Sequence, residues 1–181
     1  MTPAGSDAAS RTAWLLAGQD LLRAGGVRAV KLHALAARVG RTTGSFYHHF
    51  AGMDAYRDEL ARYFGAEQPA AMLGGIDEPD PRRRLRRLGR LDRDADMATL
   101  YAAMRAWGAS DPVAAEAVRA ADAALLAFVA EAFRDLGYAT ADARVRAELL
   151  FAIGVARLDT PWPPAAGSLR AVLEVLAPTA D

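Results

Sequence analysis

The sequence predicts an all-α protein, and three observations carry that prediction. Apolar residues recur at helical spacing along most of the 181 residues, and no convincing strand alternation interrupts them. Glycines stop the early periodic stretches, and a proline-rich segment breaks a late one. Much of the 52% hydrophobic content is alanine, a strong helix former that buries little area per residue. About nine helices are expected, three of them short and early.

The first helix covers about residues 8 to 24 and turns Trp14, Ala17, Leu21 and Leu22 to one side. Gly25-Gly26 ends it by accepting left-handed backbone angles. In "LHALAARVG", Leu32, Leu35, Ala36 and Val39 fall at i, i+3, i+4 and i+7 before Gly40 stops the helix. A short helix through "TTGSFYHHF" sets Phe46 and Phe50 four residues apart on one face. After Gly52, "MDAYRDELARYF" carries an apolar stripe of Met53, Tyr56, Leu60, Tyr63 and Phe64. Three prolines and a glycine pair make residues 66 to 81 a looser stretch and the expected boundary between two parts of the chain. "RRRLRRLGRLDRD" then reads as a helix with Leu85, Leu88 and Leu91 inward, its arginines outward and Asp80 near its start. Residues 95 to 108 give another helix, with Leu100, Tyr101, Met104 and Trp107. "SDP" at 110 to 112 starts a long central helix that runs to Gly137, because Asp111 can cap and Pro112 suits a first turn. Thr140 caps a helix over about 141 to 158, "TPWPPAAG" breaks it, and Ser168 begins the last.

The absence of cysteine excludes disulfides, thiolate metal sites and cysteine nucleophiles. The first residues lack a secretory pattern, and Glu131 and Arg157 interrupt the two best apolar stretches, so a cytoplasmic protein that does not enter membranes is expected. Formal net charge is zero, yet residues 1 to 57 set Arg11, Arg23, Arg28, Lys31, Arg38, Arg41 and Arg57 against Asp7, Asp20 and Asp54. A basic N-terminal segment suits a polyanion, although by charge alone ordinary solvated surface is the commoner explanation.

"GSFYHHF" at 44 to 50 concentrates aromatics and two of the three histidines. His48 and His49 are adjacent, about 100° apart around a helix, and cannot hold one metal ion together. Ser45 beside histidines lacks the strained turn and oxyanion hole of a serine nucleophile. No other acid-base or metal constellation is apparent, so neither an enzyme nor a cofactor is expected. A helix-turn-helix accounts for more: Ala36 is the small packing residue, Gly40 the turn, and 43 to 49 the second helix. Phe46 and Phe50 face the core, while Thr42, Thr43, Ser45, Tyr47 and His48 form a polar outer face able to bond phosphates and base edges. Gly44 leaves backbone open near the helix start.

"ALAARVGRTTGSFYHHFAGMDAY" resembles the DNA-binding signature of tetracycline-repressor-like (TetR family) transcriptional regulators, over about residues 10 to 65. "MRAWGASDPVAAEAVRAADAALLAFVAEAF" is more loosely similar to a common form of the family's ligand-binding domain. The resemblance implies a helix-turn-helix domain at 8–52, a linking helix at 53–66, and a ligand-binding and dimerisation domain at 67–181. It places Thr43, Gly44 and Ser45 where a recognition helix meets the major groove, and Tyr47 and His48 at phosphate. His49 matches the family's usual histidine, and His33 a position used for backbone or base-edge contacts. Three departures stand out: Lys31 holds the place of a helix cap, Arg41 that of a small apolar residue, and Met53 that of a phosphate-gripping lysine. Lys31 and Arg41 supply charge that can offset the lost lysine.

The implied partners are double-stranded DNA, a second copy of the chain, and a small effector of unknown identity. Met97, Tyr101, Met104, Trp107, Phe128, Phe133 and Phe151 are candidates to line the effector pocket, with plain core the commoner role for any one of them. The resemblance places the dimer contact on the last two helices, with Ala147, Leu150, Ile153 and Gly154 on one and Leu169, Val172, Leu173 and Leu176 on the other. The expected function is a ligand-responsive regulator, a repressor that binds a palindromic operator and is released by its effector. The alternative is a helical small-molecule-binding protein with a weakened DNA module.

Overall fold

The computed structural model describes the backbone of residues 3–155 and 168–178. Its elements are α1 (Pro3–Gly25), a 3-10 turn (Val27–Ala29), α2 (Leu32–Val39), α3 (Thr43–Phe46) and α4 (Met53–Arg62). A π-helical turn (Tyr63–Glu67) follows, then α5 (Gln68–Gly74), α6 (Pro81–Asp94), α7 (Met97–Gly108), α8 (Pro112–Asp135), α9 (Thr140–Val155) and α10 (Ser168–Leu176). The all-α expectation holds, with no strand among the described residues. No helix among them is long and apolar enough to cross a membrane. The chain forms two compact units, one of residues up to Gln68 with Thr99–Ala120, the other of Pro69–Ala98 with residues from Ala121 onward.

In the first unit, α1 buries Trp14, Leu15, Ala17 and Leu22. Trp14, Phe46, Phe50 and Tyr56 form one aromatic cluster, with Trp14 edge-on to Phe46 at 5.5 Å and Phe50 edge-on to Tyr56 at 4.9 Å. The Tyr56 hydroxyl donates to the Trp14 carbonyl at 2.8 Å, so the buried phenol is satisfied. A β-carbon at Gly18 would strike that hydroxyl, which explains the small residue there. The buried Gln19 is satisfied by a reciprocal amide pair with Gln68, at 2.7 and 3.2 Å.

Two local expectations change. Residues 68–74 are helical, although Pro69 and the following glycines suggest a loose stretch. The preceding π turn resolves the proline: the Gln68 N–H bonds to the Tyr63 carbonyl five residues back, so the α-type ladder is already broken where Pro69 brings no N–H. The same turn holds Gly65 flush against α8, where an added β-carbon would lie 2.8 Å from the Ala117 Cα. The recognition helix is also shorter than expected. True α-helix covers only Thr43–Phe46, after which Tyr47 and His49 bond three residues back, to Gly44 and Phe46.

In the second unit, Asp80 caps α6 by accepting from the Arg83 N–H at 2.7 Å, with Pro81 in the first turn. Leu85 and Leu88 bury against Val129 and Phe133 of α8, Ala143, Ala147 and Leu150 of α9, and Leu173 and Leu176 of α10. Gly137, at φ 93°, turns the chain after α8, and the Tyr138 N–H reaches back to the Phe133 carbonyl at 3.2 Å. The Arg146 guanidinium lies 4.0 Å over the Tyr138 ring and donates to the Leu176 carbonyl, tying α9 to α10. In the first unit, "SDP" acts as expected, the Asp111 carboxylate accepting from the N–H groups of Val113 and Ala114.

Candidate nucleic-acid interface

The helix-turn-helix forms from short-range chemistry. Gly40 adopts φ 67°, ψ 36°, which is open to glycine at little cost. Its N–H bonds to the Ala37 carbonyl, and the Arg41 N–H to that of Ala36 at 3.0 Å, so the last carbonyls of α2 are satisfied. The Thr42 hydroxyl then caps α3 by accepting from the Ser45 N–H at 3.3 Å. Its own O–H remains available to donate. Lys31 sits at the cap position of α2 without a side-chain cap bond, as its chemistry requires.

The recognition segment has two sides. Phe46 and Phe50 are buried in the aromatic cluster, which fixes the helix rotationally. Tyr47 is 59% exposed, with its ring edge-on to Phe46 at 5.4 Å. His48, Thr42 and Gly44 are exposed, while Thr43 and Ser45 are half-buried. A β-carbon on Gly44 would meet only the Thr42 hydroxyl, at 3.7 Å, so nothing of this chain crowds the helix start. His49 differs from its neighbour: it is half-buried, its Nε2 3.2 Å from the Ser10 hydroxyl. Its ring ties α3 to α1, so the outward imidazoles are those of His48 and His33.

Charge is distributed more narrowly than the sequence suggests. Arg11 pairs with Glu59, Arg23 and Arg38 with Asp20, and Arg57 with Asp54. Arg28, Lys31 and Arg41 remain exposed, without an ion pair among the described residues. Arg28 was not singled out from sequence; its position three residues before Lys31, in the 3-10 turn that leads into α2, was the available signal. Met53 opens α4, half-buried and unable to grip a phosphate.

The other expected sites divide. Tyr101, Met104 and Trp107 are buried in the first unit, with Tyr101 edge-on to Phe64 at 4.9 Å. Phe133 is buried in the second unit's core and Phe128 packs against it, while Phe151 is half-buried and Met97 buried. None of them lines either of two described cavities. One, about 520 Å³, lies between the π turn and the start of α8; the other, about 320 Å³, lies between α6 and α10. Of the expected dimer residues, Ala147, Leu150, Leu173 and Leu176 are buried within the subunit's own core and Val172 packs against it. Ile153 and Gly154 are exposed, and the side chain of Leu169 lies outside the described residues. The apolar side chains that α9 turns outward are Val145, Leu149 and Ile153.

Residues 15–60 match the family profile of bacterial regulatory proteins of the tetR family. Residues 15–60 thus carry the DNA-binding domain of that family. The match spans the helix-turn-helix and the parts of α1 and α4 that pack on it, from Leu15 to Leu60. Solved structures share the fold of this protein. A transcriptional regulator from Rhodococcus sp. Rha1 superposes with TM-score 0.68 at 21% identity, over 92% of this chain and 93% of that one. Proteins named as transcriptional regulators from Pseudomonas aeruginosa PAO1 and Streptomyces coelicolor A3(2) each give TM-score 0.62. The first, at 20% identity, covers 97% of this chain and 88% of its own; the second, at 21%, covers 94% and 99%. No curated protein matches the sequence. The described residues thus combine a tetR-type DNA-binding segment with an all-helical fold shared by proteins named as transcriptional regulators.

Proposed function

We propose that this regulator binds a near-palindromic operator as a homodimer and is released from it by a small effector. One observation carries the reading. A recognition segment pinned from behind by Phe46 and Phe50 presents Tyr47, His48, Thr43 and Ser45 outward. The unpaired Arg28, Lys31 and Arg41 lie in the short segments that lead into it. Hydroxyls and imidazoles read base edges and phosphates, while the three cations supply the salt-dependent share of affinity. Operator symmetry follows from the two-fold axis of a homodimer. The exposed Val145, Leu149 and Ile153 of α9 are the apolar surface offered for that contact.

Effector control works as a population shift. The effector favours a dimer conformation whose recognition segments no longer match successive major grooves, to the extent that it binds that conformation more tightly. A second reading, a small-molecule-binding protein with a weakened DNA module, is favoured by Met53 and by the four arginines held in ion pairs. Selection of bound duplexes from a random pool separates the two. Recovery of a two-fold symmetric sequence supports the regulator; a pool that stays random at low salt favours the second reading. A ligand screen for release from the selected duplex then tests effector control.

A further inference from the structure

Helix α6 sets seven arginines against two aspartates in 14 residues, in a chain whose formal net charge is zero. Burial of Leu85 and Leu88 fixes which face turns outward. Three of the arginines are engaged with the protein. Arg84 pairs with Asp135 at 2.8 Å, Arg82 donates to the Pro178 carbonyl at 2.9 Å, and Arg87 reaches the Asp77 carbonyl at 3.5 Å. Arg83, Arg86, Arg90 and Arg93 are exposed and have no hydrogen bond or ion pair among the described residues.

Three arginines on other helices show the usual local arrangement. Arg57, Arg62 and Arg119 each take a carboxylate on their own helix, three or four residues away. On α6 those same spacings mostly join arginine to arginine: 83 to 86 and 87, 86 to 90, and 90 to 93. Asp94, four residues after Arg90, makes no ion pair with it, and Asp80 is taken up by the helix cap. Like charges at i+3 and i+4 repel, so the face is under electrostatic strain that a row of anions relieves. The four free guanidinium groups extend over about 15 Å of helix axis at 1.5 Å per residue. Duplex DNA carries a charge about every 1.7 Å of its axis, so such a row meets several phosphates at once. A lipid surface is a poorer fit, because the leucines of α6 are already used in the core and no apolar edge is left to enter it.

We propose that the arginine face of α6 is a second, sequence-independent contact for the phosphate backbone of duplex DNA, on a different unit from the helix-turn-helix. The choice of DNA as the polyanion rests on the DNA-binding reading above. The full-length protein is titrated with salt while bound to a labelled random-sequence duplex and, in parallel, to the selected operator. Two variants are compared: Arg83→Ala/Arg86→Ala/Arg90→Ala on α6, and Tyr47→Ala/His48→Ala on the recognition segment. A second α6 variant with glutamine at the same three positions controls for folding, and both should melt at or above the wild-type temperature as repulsion is removed.

The expected result is a random-duplex salt slope lower by about three units in the α6 variants, with affinity at low salt down more than ~10-fold. The recognition variant keeps that slope and loses the preference for operator. An unchanged slope in both α6 variants, with operator preference intact, overturns this inference and leaves the proposed function standing. α6-dependent binding to random duplex, with no preferred sequence in the wild type, does the reverse. Wild-type protein that binds no duplex overturns both. Competition by polyglutamate as effective as that by unlabelled duplex at equal charge overturns it in favour of an acidic protein partner.

Discussion

The Tyr56 hydroxyl joins α4 to α1, donating to the Trp14 carbonyl from within the aromatic cluster. Burial raises its pKa well above the ordinary tyrosine value. The sign follows: in the unfolded chain the phenol ionises near pH 10, in the folded one only at higher pH. Stability from this group is therefore intact below about pH 10 and falls by about 1.4 kcal/mol per pH unit above it. Tyr56→Phe should cost about 1 kcal/mol at pH 7 in urea unfolding, and the gap to wild type should close above pH 10. Among the cations, alanine at Arg28, Lys31 or Arg41 should each lower the operator salt slope by about one unit. Arg11→Ala, which removes a cation already paired with Glu59, should leave it unchanged. Met53→Lys should raise it by about one unit. Composition revealed that this segment is basic. It could not reveal which cations are free, because Glu59 meets Arg11 and Asp20 meets Arg38 only across packed helices.

At the scale of elements, caps and periodicity were legible. Asp80, Asp111 and Gly40 do what their types and positions predict, because capping depends on residues within one turn. Thr42 belongs with them, and Thr42→Ala should cost about 1 kcal/mol and weaken operator binding, with Thr42→Ser close to wild type in both measurements. The π turn was not legible. Tyr63–Glu67 follows an ordinary helical pattern, and Pro69 with its neighbouring glycines signals a break that the wider turn accommodates. Gly65 records the constraint, since a β-carbon there would lie 2.8 and 2.9 Å from backbone atoms of Ala117. Gly65→Val should lower the melting temperature, with a cost of about 1–3 kcal/mol from overpacking.

At the scale of the whole molecule, α9 shows most clearly what sequence leaves open. It is apolar on both sides: Ala143, Ala147 and Leu150 on one, Val145, Leu149 and Ile153 on the other. Only the first set meets the leucines of α6 and α10. Leu150→Ala should therefore act as a core substitution, costing about 2–5 kcal/mol in unfolding. In the proposed dimer Leu149→Glu should instead shift sedimentation from dimer to monomer with little change in helix content, and an unchanged dimer would exclude this face. By itself the sequence determined the helical class, the helix-turn-helix and its two-sided recognition segment. All of these rest on spacing and capping within a few residues. Only the tertiary structure decided which arginines stay unpaired, that His49 faces Ser10, and which side of α9 remains uncovered. Those outcomes depend on partners far away in the chain, and periodicity says which residues share a face without saying what that face meets.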